Sequence, residues 1–200
     1  MRPLLLTTKA MTLTELIVSS ILVMIVITGA LSADFAVRSW QKRMDKRTFC
    51  QLGLGTAMTQ ILKEGRATAG FGIVLGSALS DAAITAEKTA SPEVAMLRFR
   101  QDPDPTVEDD ENYIEYRYVP PLSNGIHRRE CSFDWVCSPY VQFYKSTDPF
   151  NFFTLNFNGA SLESITIYLE TRPDPDSLED PVKNPTYSVE TSFLPTGFSQ

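Results

Sequence analysis

The side chains that could do chemistry in this sequence are few, and their spacing fits no common catalytic arrangement. His127 is the single histidine, which leaves little room for a Ser-His-Asp or Cys-His constellation. The sequence has neither a phosphate-cradling glycine loop nor a cluster with metal-ligand spacing. We therefore predict no catalytic site, no enzyme activity and no cofactor.

Two of the three cysteines lie close together in the chain. Cys131 and Cys137 bracket the segment CSFDWVC, a short loop that a disulfide would close in an oxidising compartment. A metal site is the weaker interpretation, because this spacing matches no common zinc pattern. Cys50 lies within a helical pattern, and we predict that it is a small buried apolar residue.

A single carboxylate stands inside the most apolar stretch of the chain. Residues 11–31 are almost wholly apolar, and Glu15 is their one charge. About 20 apolar residues in a helix cross the hydrocarbon core of a bilayer. A carboxylate at this depth costs about 2.5–3.5 kcal/mol on insertion scales. The stretch is therefore either a plain anchor or export signal with an incidental Glu15, or a segment in which Glu15 has a function.

The leader before this stretch favours a function for Glu15. The leader MRPLLLTTKA carries two cations and ends at Ala10, and Met11, Thr12, Leu13, Thr14 and Glu15 follow it. This order resembles the class III signal of type IV pilins and type II secretion pseudopilins, although Ala10 replaces the usual Gly and Met11 the usual Phe. The resemblance implies that a prepilin peptidase cuts between Ala10 and Met11, that Met11 is then N-methylated, and that Glu15 directs filament assembly.

Charge is divided unevenly along the chain. Residues 38–66 carry seven Lys or Arg and two acids, a net charge of +5. Residues 67–200 carry nine Lys or Arg and twenty Asp or Glu, a net charge of −11. An acidic globular part argues against electrostatic binding of nucleic acid.

The cations also bear on how the chain crosses a membrane. The cations that follow the apolar stretch would place the later part of the chain in the cytoplasm by the positive-inside tendency. The resemblance to a prepilin signal implies the opposite orientation, which we adopt. These cations would then meet lipid head groups or acidic neighbouring subunits. They are Arg38, Lys42, Arg43, Lys46 and Arg47.

Two periodicities divide the rest of the chain and predict an α+β fold. From residue 32 to about residue 64, apolar positions recur mostly every three or four residues, which predicts that the helix continues with one apolar face. From residue 93 the period changes to two, as in strands. Predicted strands cover residues 93–100, 113–119, 126–130, 140–145, 152–157 and 164–171 and the closing segment TYSVETSFLPTGF, and residues 70–88 are a predicted loop with a short element near 73–75.

This order of elements resembles the pilin architecture, in which a long helix packs on an antiparallel sheet. We predict a leader (1–10), a transmembrane and filament-core helix (11–34), an amphipathic helix (35–65) and a periplasmic β-rich head (66–200). The tail elements loosely resemble J-type minor pseudopilins and W-type minor pilins. Because some pseudopilins bind calcium, the acidic segment DPDPTVEDDEN is a candidate calcium loop, although it lacks EF-hand spacing and a solvated acidic turn is favoured.

The resemblance implies a structural subunit that helps to initiate or cap a type IV pilus or a type II secretion pseudopilus. Its partners would be the prepilin peptidase and other minor and major pilins or pseudopilins. It would reside in the inner membrane as a single-pass protein with a periplasmic head, and at the filament tip after assembly. The alternatives are a signal-anchored periplasmic binding or adhesin module and, less favoured, an anchored enzyme.

Overall fold

The computed structural model describes residues 12–70, 72–90, 93–102, 110–118, 125–174, 181 and 184–195, without the side chains of residues 90 and 93. The chain divides into two compact units between Lys46 and Arg47. The first unit is helical in its described part. The second contains the end of the same helix and nine strands within the described residues.

A single helix, α1 (Leu13–Arg66), accounts for 54 residues. Lys63 and Arg66 lie in its last turn, where their positive charges complement the negative end of the helix dipole. The hydroxyl of Thr68 donates a hydrogen bond of 2.8 Å to the carbonyl oxygen of Gly65. The helix therefore ends with one of its otherwise free carbonyl groups satisfied.

Six strands that follow one another along the chain form the larger of two sheets. In spatial order, which is also chain order, they are β1 (Ile73–Leu75), β2 (Ile84–Ala90), β3 (Glu93–Gln101), β4 (Asn112–Tyr118), β5 (Ile126–Ser132) and β6 (Val141–Tyr144). β1 runs parallel to β2, and the other neighbours are antiparallel. Alternate side chains of each strand point to opposite faces. We call the face that packs against α1 the inner face and the opposite one the outer face.

Three further strands form a second, antiparallel sheet. They are β7 (Phe153–Asn158), β8 (Ser161–Thr171) and β9 (Tyr187–Phe193), with β8 in the centre. Gly159 has a φ of 65° in the tight connection between β7 and β8, a conformation that glycine adopts without steric cost. The burial pattern of β8 alternates, so one face of this sheet is apolar and the other is polar.

The last third of α1 and both sheets share one hydrophobic core. Leu54, Ala57, Met58 and Ile61 recur at three- and four-residue steps, and each is at most 6% exposed. This spacing places them on one face of the helix, toward the inner face of the larger sheet. Their partners in the core include Leu97, Phe99, Tyr116, Phe153, Ile165, Ile167, Leu169 and Phe193.

The predicted α+β class, a long amino-terminal helix with a sheet-containing head, is confirmed. The prediction of one antiparallel sheet was wrong, because there are two sheets and β1 pairs with β2 in parallel. Alternation within a strand shows which side chains share a face, but it does not show which strand lies beside which. The division into leader, membrane segment, amphipathic helix and head stays a prediction.

Two local predictions were also wrong. β2 lies in the stretch predicted as a loop, because its small residues gave little strand propensity, yet Ile84 and Ala86 are buried beside β3. Neighbouring strands thus override a weak local preference. Cys50 is a free thiol that is partly exposed rather than buried, and partial burial raises the pKa of its thiol.

Candidate functional site

The first candidate site is the amino-terminal part of α1, whose large apolar side chains are exposed. Between Leu13 and Leu31 their exposure ranges from 47% at Ile17 to 79% at Leu13. By length and composition this part of the helix can cross a membrane. An apolar surface on all sides of a helix requires an apolar environment, either a bilayer or a bundle of similar helices.

Glu15 closes a capping box at the start of this helix. Its carboxylate accepts hydrogen bonds from the backbone nitrogen and from the hydroxyl of Thr12, both at 2.9 Å. In return, the backbone nitrogen of Glu15 donates to the Thr12 hydroxyl at 3.3 Å. This reciprocal pair satisfies backbone donors that a helix start leaves free. Glu15 therefore already has partners within its own chain.

Three hydroxyl groups further along the helix also have hydrogen-bond partners within it. Ser20, Thr28 and Ser32 each donate to a backbone carbonyl three or four residues earlier, at 2.7–2.8 Å. Such bonds allow hydroxyl side chains to lie in an apolar environment without a separate partner. Glu15 is the only acidic or basic side chain of residues 13–31.

The second candidate site is a cluster of hydrogen bonds between the end of α1 and the inner face of the larger sheet. The carboxylate of Glu64 accepts hydrogen bonds from the phenol of Tyr116 and from the guanidinium of Arg128, at 2.9 Å for the shortest Arg128 contact. The backbone carbonyl of Glu64 accepts a 2.7 Å bond from the Gln101 amide. One helical residue is thus tied to three neighbouring strands, β3, β4 and β5. Tyr116 lies beside this carboxylate, and burial with the nearby charge of Glu64 raises the pKa of its phenol.

The third cluster is a buried group of charges on the outer face of the same sheet. Arg98, Glu115 and Arg129 lie side by side on β3, β4 and β5 by strand register. The Glu115 carboxylate accepts bonds from Arg98 at 2.7 Å and from Arg129 at 3.1 Å, and another from the Tyr140 phenol. Glu115 is fully buried. A buried carboxylate persists only where donors of this kind compensate for its lost hydration.

These donors determine the protonation of Glu115. Burial alone would raise the pKa of its carboxyl, but the hydrogen bonds from Tyr140 and Arg98 and the charges of Arg98 and Arg129 outweigh burial and lower the pKa. Glu115 is therefore ionised at neutral pH. Burial, the main cause, and the bond to Glu115 raise the pKa of Tyr140, so its phenol remains a proton donor.

The disulfide loop covers this buried cluster. The predicted bond between Cys131 and Cys137 is present, and Trp135 lies inside the loop that it closes. The Trp135 ring stacks on Tyr113 with centroids 4.3 Å apart, and the Arg98 guanidinium lies 5.2 Å from the Trp135 ring centroid. Burial and a bond to Asp81 raise the pKa of Tyr113 to about 12. The stacked phenol is therefore neutral.

The backbone of Trp135 has an unusual conformation in this position. Its φ of 60° lies in the left-handed region, which costs a bulky residue roughly 1–2 kcal/mol. A turn fixes this conformation, because the Trp135 nitrogen donates to the Ser132 carbonyl at 2.9 Å and the Ser132 nitrogen to the Val136 carbonyl at 3.1 Å. Stacking on Tyr113 and Arg98 offsets the backbone cost.

The structure describes some of the predicted site residues and not others. Ala10 and Met11, the predicted cleavage position, lie outside the described residues. Glu15 begins α1, and its assembly role stays a prediction. Sequence reasoning missed Thr12, although the motif Thr-x-x-Glu before an apolar run is typical of a capping box. It also missed Glu115, for which the signal was a lone acid in an aromatic strand next to strands that carry arginines.

In the described part of the chain, no three metal-ligating side chains come together. Most of the candidate calcium loop lies outside that part. Comparison with models of protein families, with curated proteins and with solved structures finds no match to this chain.

Proposed function

We propose that this chain is a pilin-like structural subunit, a minor pilin or pseudopilin that helps to initiate or cap a filament assembled from the inner membrane. The leader and Glu15 motif resemble the prepilin signal, and the fold is compatible with that family. Two segments carry the function, the apolar part of α1 as filament core and the β-rich head as exported domain. The chain acts by assembly and not by catalysis.

One observation carries the proposal. A single helix contains both an exposed apolar stretch of membrane-spanning length and a last third that is buried against a sheet. A simple anchor needs only the first property. A subunit whose helix must pack among other helices while holding a folded head needs both.

The disulfide supports an exported head. The bond between Cys131 and Cys137 fits an oxidising compartment. It therefore favours the orientation that the prepilin resemblance implies over the one that the positive-inside tendency implies. The head then lies in the periplasm and the leader in the cytoplasm.

The proposed mechanism assigns Glu15 two successive partners. Before assembly, the Thr12 donors satisfy its carboxylate. After cleavage between Ala10 and Met11, the methylated amino terminus of a neighbouring subunit replaces neutral donors with a cation. An ion pair offsets the burial of both charges in an apolar bundle, where an unpaired charge costs several kcal/mol.

Processing is the first test. Co-expression with a prepilin peptidase should remove residues 1–10, which mass spectrometry of the amino terminus would detect, and Ala10→Trp should block cleavage. A chain that keeps Met1 under these conditions would favour the anchored binding module instead. Cleavage elsewhere, such as after Ala33, would also contradict the proposal.

Two substitutions then separate capping from assembly. Glu15→Gln keeps an acceptor for the capping box but removes the charge, so it should leave helix content and membrane residence unchanged and reduce incorporation into filaments. Thr12→Ala removes the cap, at a cost of about 1 kcal/mol, but keeps the charge and should incorporate normally. Equal incorporation of wild type and Glu15→Gln would show that this carboxylate does not direct assembly.

A further inference from the structure

We infer that four cations of α1, Lys42, Arg43, Lys46 and Arg47, form a docking surface for the acidic head of a second copy of this chain. We call these four residues the basic segment. The inference goes beyond the proposed function, because this contact needs neither cleavage of the leader nor Glu15.

The charges of the basic segment are available for a partner. Arg38, just before it, already pairs with Asp34 at 2.8 Å on the helix surface. No ion pair among the described residues involves any of the four basic-segment residues. Lys42, Arg43 and Lys46 are exposed, and Arg47 is partly exposed.

Lipid head groups are too far away to account for all four charges. Lys42 and Lys46 follow Leu31, the last residue of the apolar stretch, by 11 and 15 positions, which is roughly 16 and 22 Å along a helix. The head-group layer adds only about 5–8 Å beyond the hydrocarbon core, and salt screens charges over about 8 Å. Even a helix tilted by about 40° keeps Lys46 near 17 Å from the core. A protein surface is therefore the better counterpart.

The head offers a matching acidic surface on the polar face of the smaller sheet. Glu190 on β9 lies opposite Tyr168 on β8, and Glu170 is two residues further along β8 on the same face. Diagonal neighbours of this kind are about 7–8 Å apart, and residues four apart on a helix, such as Lys42 and Lys46, about 5–6 Å. Two lysines of one chain can thus face two glutamates of another.

The two glutamates lack cationic partners within the described residues. The Glu170 carboxylate accepts bonds from the Tyr168 phenol at 2.6 Å and from the Thr147 hydroxyl, both neutral groups. Glu190 is exposed. No described ion pair includes either residue. The same face carries the hydroxyl residues Thr166 and Ser192 and the larger Tyr168, which lies opposite Glu190.

Crosslinking between two chains tests the contact. Lys46→Cys and Glu190→Cys are made separately in a Cys50→Ser background, and the full-length chains are mixed in phosphatidylcholine proteoliposomes with a bis-maleimide. We expect a mixed dimer that 0.5 M salt suppresses. Glu163→Cys, an exposed acid near the start of β8, is the matched control and should crosslink poorly. A third chain carries both cysteines; a crosslink within that chain, with no mixed dimer between the separate chains, would overturn the inference.

Charge reversal gives a second measurement. Co-purification of differently tagged chains should fall by about fivefold or more for Lys42→Glu with Lys46→Glu, and likewise for Glu170→Lys with Glu190→Lys. Mixing the two double variants should restore association, and Glu163→Lys should have no effect. Unchanged association of the double variants, a failure of the mixture to recover, or association that requires phosphatidylglycerol would contradict the inference, the last by assigning the basic segment to lipid.

Discussion

Two stretches of α1 put similar apolar side chains to different uses. In residues 13–31 the apolar side chains surround the helix and are exposed, whereas in residues 54–65 they form one stripe that is buried against the larger sheet. The first pattern needs an apolar environment that this fold does not supply, and the second supplies its own core. Under the function proposed above, substitutions in the first stretch should affect membrane residence and assembly, and those in the second should affect the stability of the head.

The largest expected effect comes from a matched pair of isoleucines. Ile61→Ala should lower the free energy of unfolding of the head by about 3 kcal/mol, because Ile61 is fully buried and its truncation leaves a cavity. Ile21→Ala, in the exposed stretch, should change it by less than about 0.5 kcal/mol. Urea unfolding of the full chain in detergent micelles measures both. Similar losses for the two variants would contradict the division of α1.

Two glycines of the same helix allow a comparison in which side-chain atoms are added and not removed. A Cβ at residue 65 would lie 2.3 Å from the Phe193 ring, which Phe99 also contacts. Gly65→Ala should therefore destabilise the head by about 2 kcal/mol through overpacking. A Cβ at Gly29 meets nothing within 4 Å, so Gly29→Ala should leave the head unchanged. Thermal unfolding distinguishes the two, and a stable Gly65→Ala variant would show that the ring can move aside.

Two glutamates, one near each end of α1, allow the two stretches of the helix to be compared through their polar contacts. Glu64→Gln weakens charge-assisted bonds from Arg128 and Tyr116, so we expect a loss of about 1.5 kcal/mol in head stability. Glu15→Gln should leave head stability unchanged. Denaturation curves of both variants under one condition test this, and a destabilised head in the Glu15→Gln chain would mean that the helix start supports the head.

The smallest expected effect is a change in the pH dependence of head stability. Because the pKa of Glu115 is lowered on folding, its ionisation stabilises the head above its ordinary pKa of 4.5. This stabilisation is lost as the pH falls through the lower, folded-state value. Glu115→Gln should therefore flatten the decline in stability between pH 5 and lower values, and Glu163→Gln, an exposed control, should not. An unchanged slope in Glu115→Gln would assign the acid sensitivity to other groups.

The sequence alone predicted the long helix, the α+β class and most of the strands. Helical periodicity placed Met58 and Ile61 on one face, and β8 followed from the alternation in SITIYLET. Such patterns can be recognised within a single segment, because the spacing of its apolar residues reflects which of its faces must be buried. The parallel pairing of β1 with β2 and the existence of two sheets depend on which segments pair with one another, which no pattern within a single segment encodes.

The candidate sites were predicted to different degrees. Glu15 stood out because a carboxylate in an apolar run is rare, and Cys131 and Cys137 because of their spacing. Arg98, Glu115 and Arg129 were not recognised as a cluster, because only strand register brings them into one row. The role of Trp135 as a cover depends on its positive φ, which the sequence of an ordinary turn does not reveal.

The attachment of Glu64 has a mechanical consequence. In the filament proposed above, a pull on α1 would reach the head through the last third of the helix, which is buried in the core and includes Glu64 near its end. There the force divides among β3, β4 and β5 through Gln101, Tyr116 and Arg128. These strands are neighbours inside the six-stranded sheet, so the load would be shared by several rows of hydrogen bonds and would not fall on one edge strand.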